Sequence, residues 1–337
     1  MRSRVVAVML GLVLLLLTAC GAPSKEDVVK KLSGKWNDSS GYDLKATMEI
    51  KTGEEPRMYD VTVWHTKPDF YKVDVSQQGK EESQLIVRNE EGVFVVTPSL
   101  GKTYKFQSDW PAQNSQAYLI STLSDDIKAD KKSTMTEKDK TYVFETATRN
   151  NQKAVLPTQQ IHIDKKTLLP THVTLLDENK EEKIRVTFKK ITLGVKRDAK
   201  DYAVEMENAD HEKKDGDSKD KDKKAELETY YPTAQFEGVT LLSEEAVETE
   251  SGTRLFLSYG GGDKEFIVVQ EPALPVDNQI QVSVEGDPVD LGFTVAALSG
   301  QTIRWEQDGI AFYAASESLS KGELIQVAGS MQPNIVK

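Results

Sequence analysis

The chain has 337 residues, of which 38% are hydrophobic and 29% are charged, with a formal net charge of -11 at pH 7. So acidic a chain has no basic stripe for a nucleic acid, and its own charge does not draw it to anionic lipid. A single cysteine excludes an internal disulfide, and the length provides material for about two domains.

Residues 1–19 have the anatomy of a secretory signal peptide. Arg2 and Arg4 form a short basic region, and the apolar run at 5–17 is too short to cross a bilayer comfortably as a helix. The run ends in Leu-Thr-Ala-Cys, the lipobox pattern of bacterial lipoproteins, in which the cysteine thiol receives a diacylglycerol and the signal is cut just before it. We therefore expect lipidation at Cys20. The alternative is an ordinary signal peptide with a chance cysteine at its end.

Lipidation at Cys20 would decide where the protein works. The mature chain would begin at this residue and be held by diacylglyceryl-Cys20 in the lipid bilayer, at the outer face of the cytoplasmic membrane. Two palmitate-like chains suffice for stable anchoring, because each buried CH₂ contributes about 0.8 kcal/mol. An acylated thiol is also unable to serve a metal site or nucleophilic catalysis.

The stretch from residue 24 to about residue 200 is predicted to be mainly β. Ser24-Lys-Glu-Asp27 has the spacing of a capping box and begins a helix. After Gly41 the pattern changes to strands with short turns, and a second helix is expected from Ser115 to Ile127, where apolar residues recur with a period near 3.6. The predicted strands are YDLKATMEI, MYDVTVWHT, FYKVDVSQ, SQLIVRN, VFVVT, TYKF, TYVFETA, TQQIHID, THVTLLDEN and EKIRVTFKKI.

Alternation along these strands gives each of them one apolar and one wet face. About ten such strands make a curved antiparallel sheet whose apolar side is covered by the helices, and a sheet of this width can curl around a hydrophobic cavity. Two alternatives stay open, namely that the helices fill this space or that it is a lipid pocket. The candidate lining is the inward-facing set Val61, Val63, Tyr142, Phe144, Ile161, Ile163, Ile184, Val186 and Phe188.

Four stretches carry a family resemblance: the lipobox with the capped helix after it, the meander YDLKATMEI to FYKVDV, the block NEEGVFVVTPSLGKTYKFQSDWP, and LLPTHVTLLDENKEEKIRVTFKKI. Together they resemble the LolA-like lipoproteins of spore-forming Gram-positive bacteria, a sporulation-associated group. The resemblance implies an incomplete β-barrel closed by helices for residues 24–200, with a cavity of the kind that holds acyl chains in that superfamily. It does not imply a carrier function, because an anchored chain cannot shuttle as a free carrier does.

A charged linker is predicted at residues 205–228, where 16 of 24 residues are Asp, Glu or Lys. Such a segment cannot bury enough surface to offset its ordering entropy, so we expect an extended connector, with a long solvated helix as the alternative. The predicted domains are then 20–204, the LolA-like half-barrel, and 229–337, a small α+β domain that binds or braces. Each is expected to close its own core. The second contains a hairpin turning at Gly260, Gly261 and Gly262 and a helix in SKGELIQVAGSM.

Catalytic and metal-binding motifs are incomplete. Ser99-x-x-Lys102 and Ser318-x-x-Lys321 have the Ser-Lys spacing of penicillin-binding enzymes without the companion elements, and the glycine-rich turn lacks the Gly-Lys-Ser/Thr of a phosphate-binding loop. No spacing of a zinc site is present, so we expect surface histidines at His65, His162, His172 and His211. The expectation is therefore no enzyme, no cofactor and no metal.

Two classes of function remain. The first is a membrane-anchored, non-catalytic lipoprotein that binds an acyl chain, a lipoprotein or an envelope protein in its LolA-like domain, without a nucleic-acid partner. The alternative is a non-catalytic activator or scaffold for a peptidoglycan (cortex) hydrolase. The resemblance places both in sporulation, the spore envelope or germination, and it makes the spore membrane the alternative location of the lipid-anchored chain.

Overall fold

The computed structural model describes residues 23–51, 56–80, 83–106, 110, 116–149, 153, 155–204, 228–250, 252–274 and 280–333. Within these ranges the chain is mainly β. Its α-helices are α1 (Lys25–Asn37), α2 (Ile120–Ala129) and α3 (Lys321–Gly329), and short 3-10 helices lie at Pro98–Leu100 and Ala199–Tyr202. No helix in the described ranges has both the length and the apolar content needed to cross a membrane.

The strands of the N-terminal half are β1 (Gly41–Ile50), β2 (Arg57–Thr66), β3 (Phe70–Gln77), β4 (Ser83–Asn89), β5 (Gly92–Thr97), β6 (Lys102–Phe106), β7 (Thr134–Lys138), β8 (Thr141–Ala147), β9 (Thr158–Asp164), β10 (Pro170–Leu176) and β11 (Glu182–Leu193). Those of the C-terminal half are β12 (Tyr230–Pro232), β13 (Thr240–Thr249), β14 (Gly252–Gly261), β15 (Lys264–Pro272), β16 (Ile280–Val284), β17 (Asp287–Asp290), β18 (Val295–Ser299), β19 (Thr302–Gln307), β20 (Ile310–Ala315) and β21 (Met331–Pro333).

Helix α1 begins where the capping box predicts. The Ser24 hydroxyl accepts a hydrogen bond from the Asp27 backbone N–H at 3.1 Å, which satisfies one of the free donors at the helix start. Val28, Leu32 and Trp36 recur every four residues and are buried together. Trp36 Nε1 donates to the Leu168 carbonyl oxygen at 2.8 Å, so the helix is also fixed to the loop before β10.

The large sheet has twelve strands in the order β16-β6-β5-β4-β3-β2-β1-β11-β10-β9-β8-β7. Burial alternates with a period of two along its strands, as in β8 and β9, so one face is apolar. Helices α1 and α2 contact each other and pack into the core on that face. The predicted architecture, a large open sheet covered by helices and followed by a smaller α+β part, is confirmed.

The smaller sheet has seven strands in the order β13-β14-β15-β20-β19-β18-β17, and α3 packs on β19 and β20. The predicted hairpin between β14 and β15 is present. Gly261, at φ +148°, leaves no room for a side chain, because a Cβ there would lie 1.9 Å from the Gly238 carbonyl oxygen. Helix α3 begins at a capping box in which the Ser320 hydroxyl and the Glu323 carboxylate each accept the other's backbone N–H.

The two halves do not close separate cores in this structure. Strand β16, which belongs to the C-terminal half, pairs in parallel with β6 at the edge of the large sheet, and buried residues of both halves form one continuous cluster. The expectation of independently closed cores therefore fails, because the large sheet takes its outermost strand from beyond the linker. The boundaries at residues 204 and 229 stay a prediction.

Two further differences from the sequence prediction concern local structure. Helix α2 begins at Ile120 rather than at Ser115, since the Leu119 N–H donates to the Gln116 carbonyl at 2.9 Å and makes a tight turn before the helix. Strands β7 and β13 have no counterpart among the predicted strands. Both are mostly exposed and lack an apolar face of their own.

Candidate functional site

The nine residues predicted to line a lipid pocket lie together on the covered face of the large sheet. All are buried except Phe188, which is partly buried, and all belong to the cluster that includes α1 and α2. None of them lines either of the two cavities described below. In this structure the face is packed, as the filled-core alternative requires. An open acyl pocket there stays a prediction.

A different feature offers space for a ligand, a groove of about 730 Å³ between the smaller sheet and the β6–β16 edge of the large one. We call it the inter-sheet groove. Its wall carries aromatic and aliphatic residues from both sheets, which are Tyr104, Phe106, Phe256, Val269, Val282, Val284, Val295, Ala297, Trp305, Ala311, Phe312 and Tyr313.

Strand alternation explains why these side chains meet. In β14, Leu255 and Leu257 point into the core under α3, so Phe256 points to the opposite face of the sheet. Phe256 lies opposite Val269 of β15, and Val269 lies opposite Tyr313 of β20. An apolar row therefore crosses the face of the smaller sheet that α3 does not cover.

Charged side chains flank this row, and most of them are paired. Arg254 contacts Glu271 with 2.6 Å between Nη2 and Oε2, and Lys102 Nζ donates to Glu306 Oε1 at 2.7 Å across the two sheets. Burial, and then the nearby Glu306 carboxylate, raises the pKa of Tyr104, so this phenol stays protonated. The groove thus combines apolar walls with fixed polar groups, which is the usual make-up of a binding cleft.

A smaller cavity of about 320 Å³ lies at the same junction and is more polar. Thr97 and Gln307 are both only 8% exposed, and within the described ranges the Thr97 hydroxyl and the Gln307 amide oxygen have no hydrogen-bond partner. On its wall, Asp308 accepts hydrogen bonds from the Tyr230 hydroxyl at 2.9 Å and from Lys80. The Lys80 contact also connects the two halves.

The histidines are placed differently from the sequence expectation. His65 is buried, not at the surface: it stacks on Tyr71 with 4.3 Å between ring centroids, and its Nδ1 lies 3.0 Å from the Phe70 carbonyl oxygen. The prediction was wrong because His65 has the same parity as the inward-facing residues of β2. His162 and His172 are partly buried and stack face to face, with 3.8 Å between their centroids. His211 lies outside the described residues.

Other predicted features have ordinary structural roles. Lys102 is engaged by Glu306, and the Ser318 hydroxyl donates to the Glu265 carbonyl at 3.1 Å. In the ranges that the structure describes, no three His, Cys, Asp or Glu side chains are placed to hold a metal ion. Cys20 lies outside the described residues, so its lipidation stays a prediction.

The inter-sheet groove was not predicted from the sequence, although the sequence contains a signal for it. Phe266, Ile267, Val268 and Val269 are apolar at both parities, and so are Leu255, Phe256 and Leu257. A strand with apolar side chains on both faces packs against the core with one face and presents a second apolar surface with the other.

Comparison with known proteins gives one close similarity. The model of the family "Sporulation protein YdcC-like" matches residues 2–202. The chain is also 38% identical over 335 residues to "Sporulation protein YdcC" of Bacillus subtilis (strain 168), spanning 98% of this chain and 97% of that protein.

Similarities to solved structures are weaker. The MucA/MucB complex of Pseudomonas aeruginosa matches 91% of this chain and 98% of its own, with 16% identity and a TM-score of 0.32. A putative outer membrane lipoprotein-sorting protein domain of Vibrio parahaemolyticus matches 52% of this chain and 94% of its own, with 9% identity and a TM-score of 0.32. Neither similarity says what this chain binds.

Proposed function

The chain belongs to the family of YdcC-like sporulation proteins, and we propose that it is a membrane-tethered, non-catalytic binding protein of the sporulation envelope, with the inter-sheet groove as its ligand site. The lipid on Cys20 would hold it at the outer face of the membrane. The groove would take an apolar group of a lipid, a lipoprotein or an envelope protein.

The observation that carries this proposal is the groove itself. It is larger than the other described cavity and it is accessible, and its apolar row lies on the sheet face that α3 leaves uncovered. The expected pocket residues, by contrast, are packed against helices. A ligand therefore has room at the junction of the two sheets without any rearrangement of the core.

The lining favours a segment of a protein over a bare acyl chain. Arg254, Glu271, Arg304 and Glu285 stand among the apolar residues, and the Arg304 guanidinium lies 5.1 Å from the centre of the Tyr313 ring. An acyl chain gains nothing from such groups, whereas a peptide backbone can hydrogen-bond to them. The favoured ligand is therefore a protein segment with apolar side chains.

A matched pair of variants tests the groove. Phe256→Glu places a charge on its wall, while Ile267→Glu makes the same type of change on the same sheet face but outside the lining, where Ile267 is 41% exposed. Both variants should keep the wild-type circular dichroism spectrum and melting temperature, since neither residue is in the core. In the sporulating bacterium, only Phe256→Glu should reduce the yield of spores able to germinate.

An in vitro arm separates the ligand classes. A fluorescent long-chain fatty acid is titrated into the mature chain carrying Cys20→Ser and into its Phe256→Glu derivative. Binding that Phe256→Glu abolishes would assign the groove to an acyl chain instead of a protein segment. The groove is not the functional site if two results occur together. The first is that Phe256→Glu spores germinate like those of the wild type, and the second is that the fatty acid binds equally to the protein with and without Phe256→Glu, or to neither.

A further inference from the structure

Strand β13 forms one edge of the smaller sheet and is unusually exposed. It pairs with β14, and among the described residues no strand pairs with its other edge. Eight of its ten residues are exposed and the other two partly so. Leu242 is 68% exposed and Val247 is 48% exposed. A row of backbone N–H and C=O groups is thus presented to the outside beside apolar side chains.

Edge strands are normally protected against pairing by short length, proline, a bulge or charged side chains, most often lysine. The other three edges of the two larger sheets show these devices: β7 and β16 have five residues each, with Lys138 in β7, and β17 has four residues that include Pro288. Strand β13 has ten residues and contains neither proline nor lysine. A bulge between Leu241 and Ser243 disturbs only its first part, and Ser243–Thr249 runs in regular register with β14.

The charge of this edge has one sign. Strand β13 contains Glu244, Glu245 and Glu248, Glu250 follows directly, and no Lys or Arg occurs between residues 233 and 253. By pairing position, Glu244 and Glu248 lie on the side of Leu257, and Glu245 lies on the side of Phe256, so both faces are acidic. Glutamates on both faces would repel a second copy pairing edge to edge and would attract a basic chain.

We infer that the outer edge of β13 is a docking strand for an extended, basic segment of a partner protein, which adds to the smaller sheet as an eighth strand. Main-chain hydrogen bonds to the edge supply affinity in this mode, and side chains on alternate faces supply selectivity. The segment fitted to this edge alternates Lys or Arg with aliphatic residues, which places its cations on one face beside Glu244 and Glu248 and its aliphatic groups on the other face beside Val247. The surface lies outside the inter-sheet groove, and the inference does not depend on the function proposed for that groove.

The test uses the mature chain carrying Cys20→Ser and a capped eight-residue peptide of alternating lysine and valine. Binding is measured by isothermal titration calorimetry at low and at high salt. The peptide should bind, and a peptide of alternating glutamate and valine should not. Because the attraction is between exposed charges, affinity should fall steeply with salt.

Charge reversal locates the site. Glu244→Lys combined with Glu248→Lys, both on the face that meets the cations, should weaken binding by about tenfold or more, since two attractions become repulsions. The matched control is Glu137→Lys in β7, which makes the same change on an edge strand of the other sheet and should leave binding unchanged. Both variants change exposed side chains, so circular dichroism should confirm an unaltered fold.

Backbone pairing is separated from simple ion attraction with N-methylated peptides. A strand that adds to an edge uses the N–H groups of every second residue. Methylating one alternate set should therefore abolish binding, while methylating the other set should not, and bound peptide should slow amide hydrogen exchange in residues 240–249. The inference is overturned if both methylated peptides bind equally, or if Glu137→Lys weakens binding as much as the double charge reversal. It is also overturned if the protein dimerises through this edge instead.

Discussion

Replacing Phe144 tests how the covered face of the large sheet is packed. Phe144 is 0% exposed on β8, where it lies opposite Ile161 of β9 and Met135 of β7. Its ring is therefore enclosed by neighbouring strands and by the cluster that contains α2. Phe144→Ala should lower the free energy of unfolding by about 3–5 kcal/mol, the usual cost of removing a buried phenyl ring.

Phe144→Glu should cost more. It removes the same ring and adds a carboxyl group without a partner, which costs several kcal/mol more in an apolar site. Since the total stability of a domain is about 5–15 kcal/mol, this variant should be largely unfolded at 25 °C. Phe144→Leu, which keeps an apolar side chain, should lose much less.

The assay is urea unfolding of the three variants, followed by far-UV circular dichroism and tryptophan fluorescence. Phe256→Glu serves as the control, because it introduces the same charge at a partly buried groove position. The reasoning is refuted if Phe144→Glu keeps the wild-type spectrum and midpoint. Loss of fatty-acid binding in such a folded variant would instead establish the predicted acyl pocket on this face.

Three further predictions follow from separate features. Cys20→Ser should abolish labelling by an alkyne fatty acid and leave an uncleaved or mislocalised precursor in membrane fractionation, and label retained in the variant would contradict lipidation. Lys102→Met should lower the free energy of unfolding in urea by about 3 kcal/mol or more, because it leaves the Glu306 carboxylate buried without its cation. Lys102→Met combined with Glu306→Leu should recover much of this loss. An equal loss in both variants would mean that the unpaired charge is not the cause. Burial, and then the adjacent His172 and Arg185, lowers the pKa of His162 to about 4. In the unfolded chain this histidine has an ordinary pKa near 6.5, so between these two pH values the unfolded chain binds a proton that the folded chain does not. Stability should therefore be full above about pH 6.5 and fall as the pH drops towards 4. His162→Gln should flatten this dependence of the urea midpoint on pH. An unchanged dependence would exclude the His162–His172 pair as its source.

The sequence predicts the strands of the large sheet well because each has one buried face. The strings beginning at Phe70, Ser83, Thr141 and Thr158 coincide with β3, β4, β8 and β9 in the structure. Strand β13 was not predicted, because it has no buried face. Its side chains are exposed on both faces, so hydrophobicity does not alternate along it.

The inter-sheet groove was not predicted because it depends on contacts between residues that are far apart in the chain. Its walls bring Tyr104 and Phe106 of β6 next to Phe256 and Tyr313, and this meeting requires β16 to pair with β6. Local periodicity reports which face of a strand is apolar, but it carries no information about which distant strand will lie opposite. The residues inferred from parity face inward as predicted, and none of them lines the inter-sheet groove.

The pairing of β16 with β6 also constrains the order in which the protein can fold. Lys102 lies opposite Ile280, about 180 residues further along the chain, so closing this contact costs more loop entropy than any hairpin within the large sheet. The strands β1 to β6 pair with their sequence neighbours and can assemble first, which leaves the outer edge of β6 bare until the C-terminal half has arrived. A truncated or stalled chain that ends before residue 280 would expose that edge, and it should aggregate or be degraded where the full chain does not.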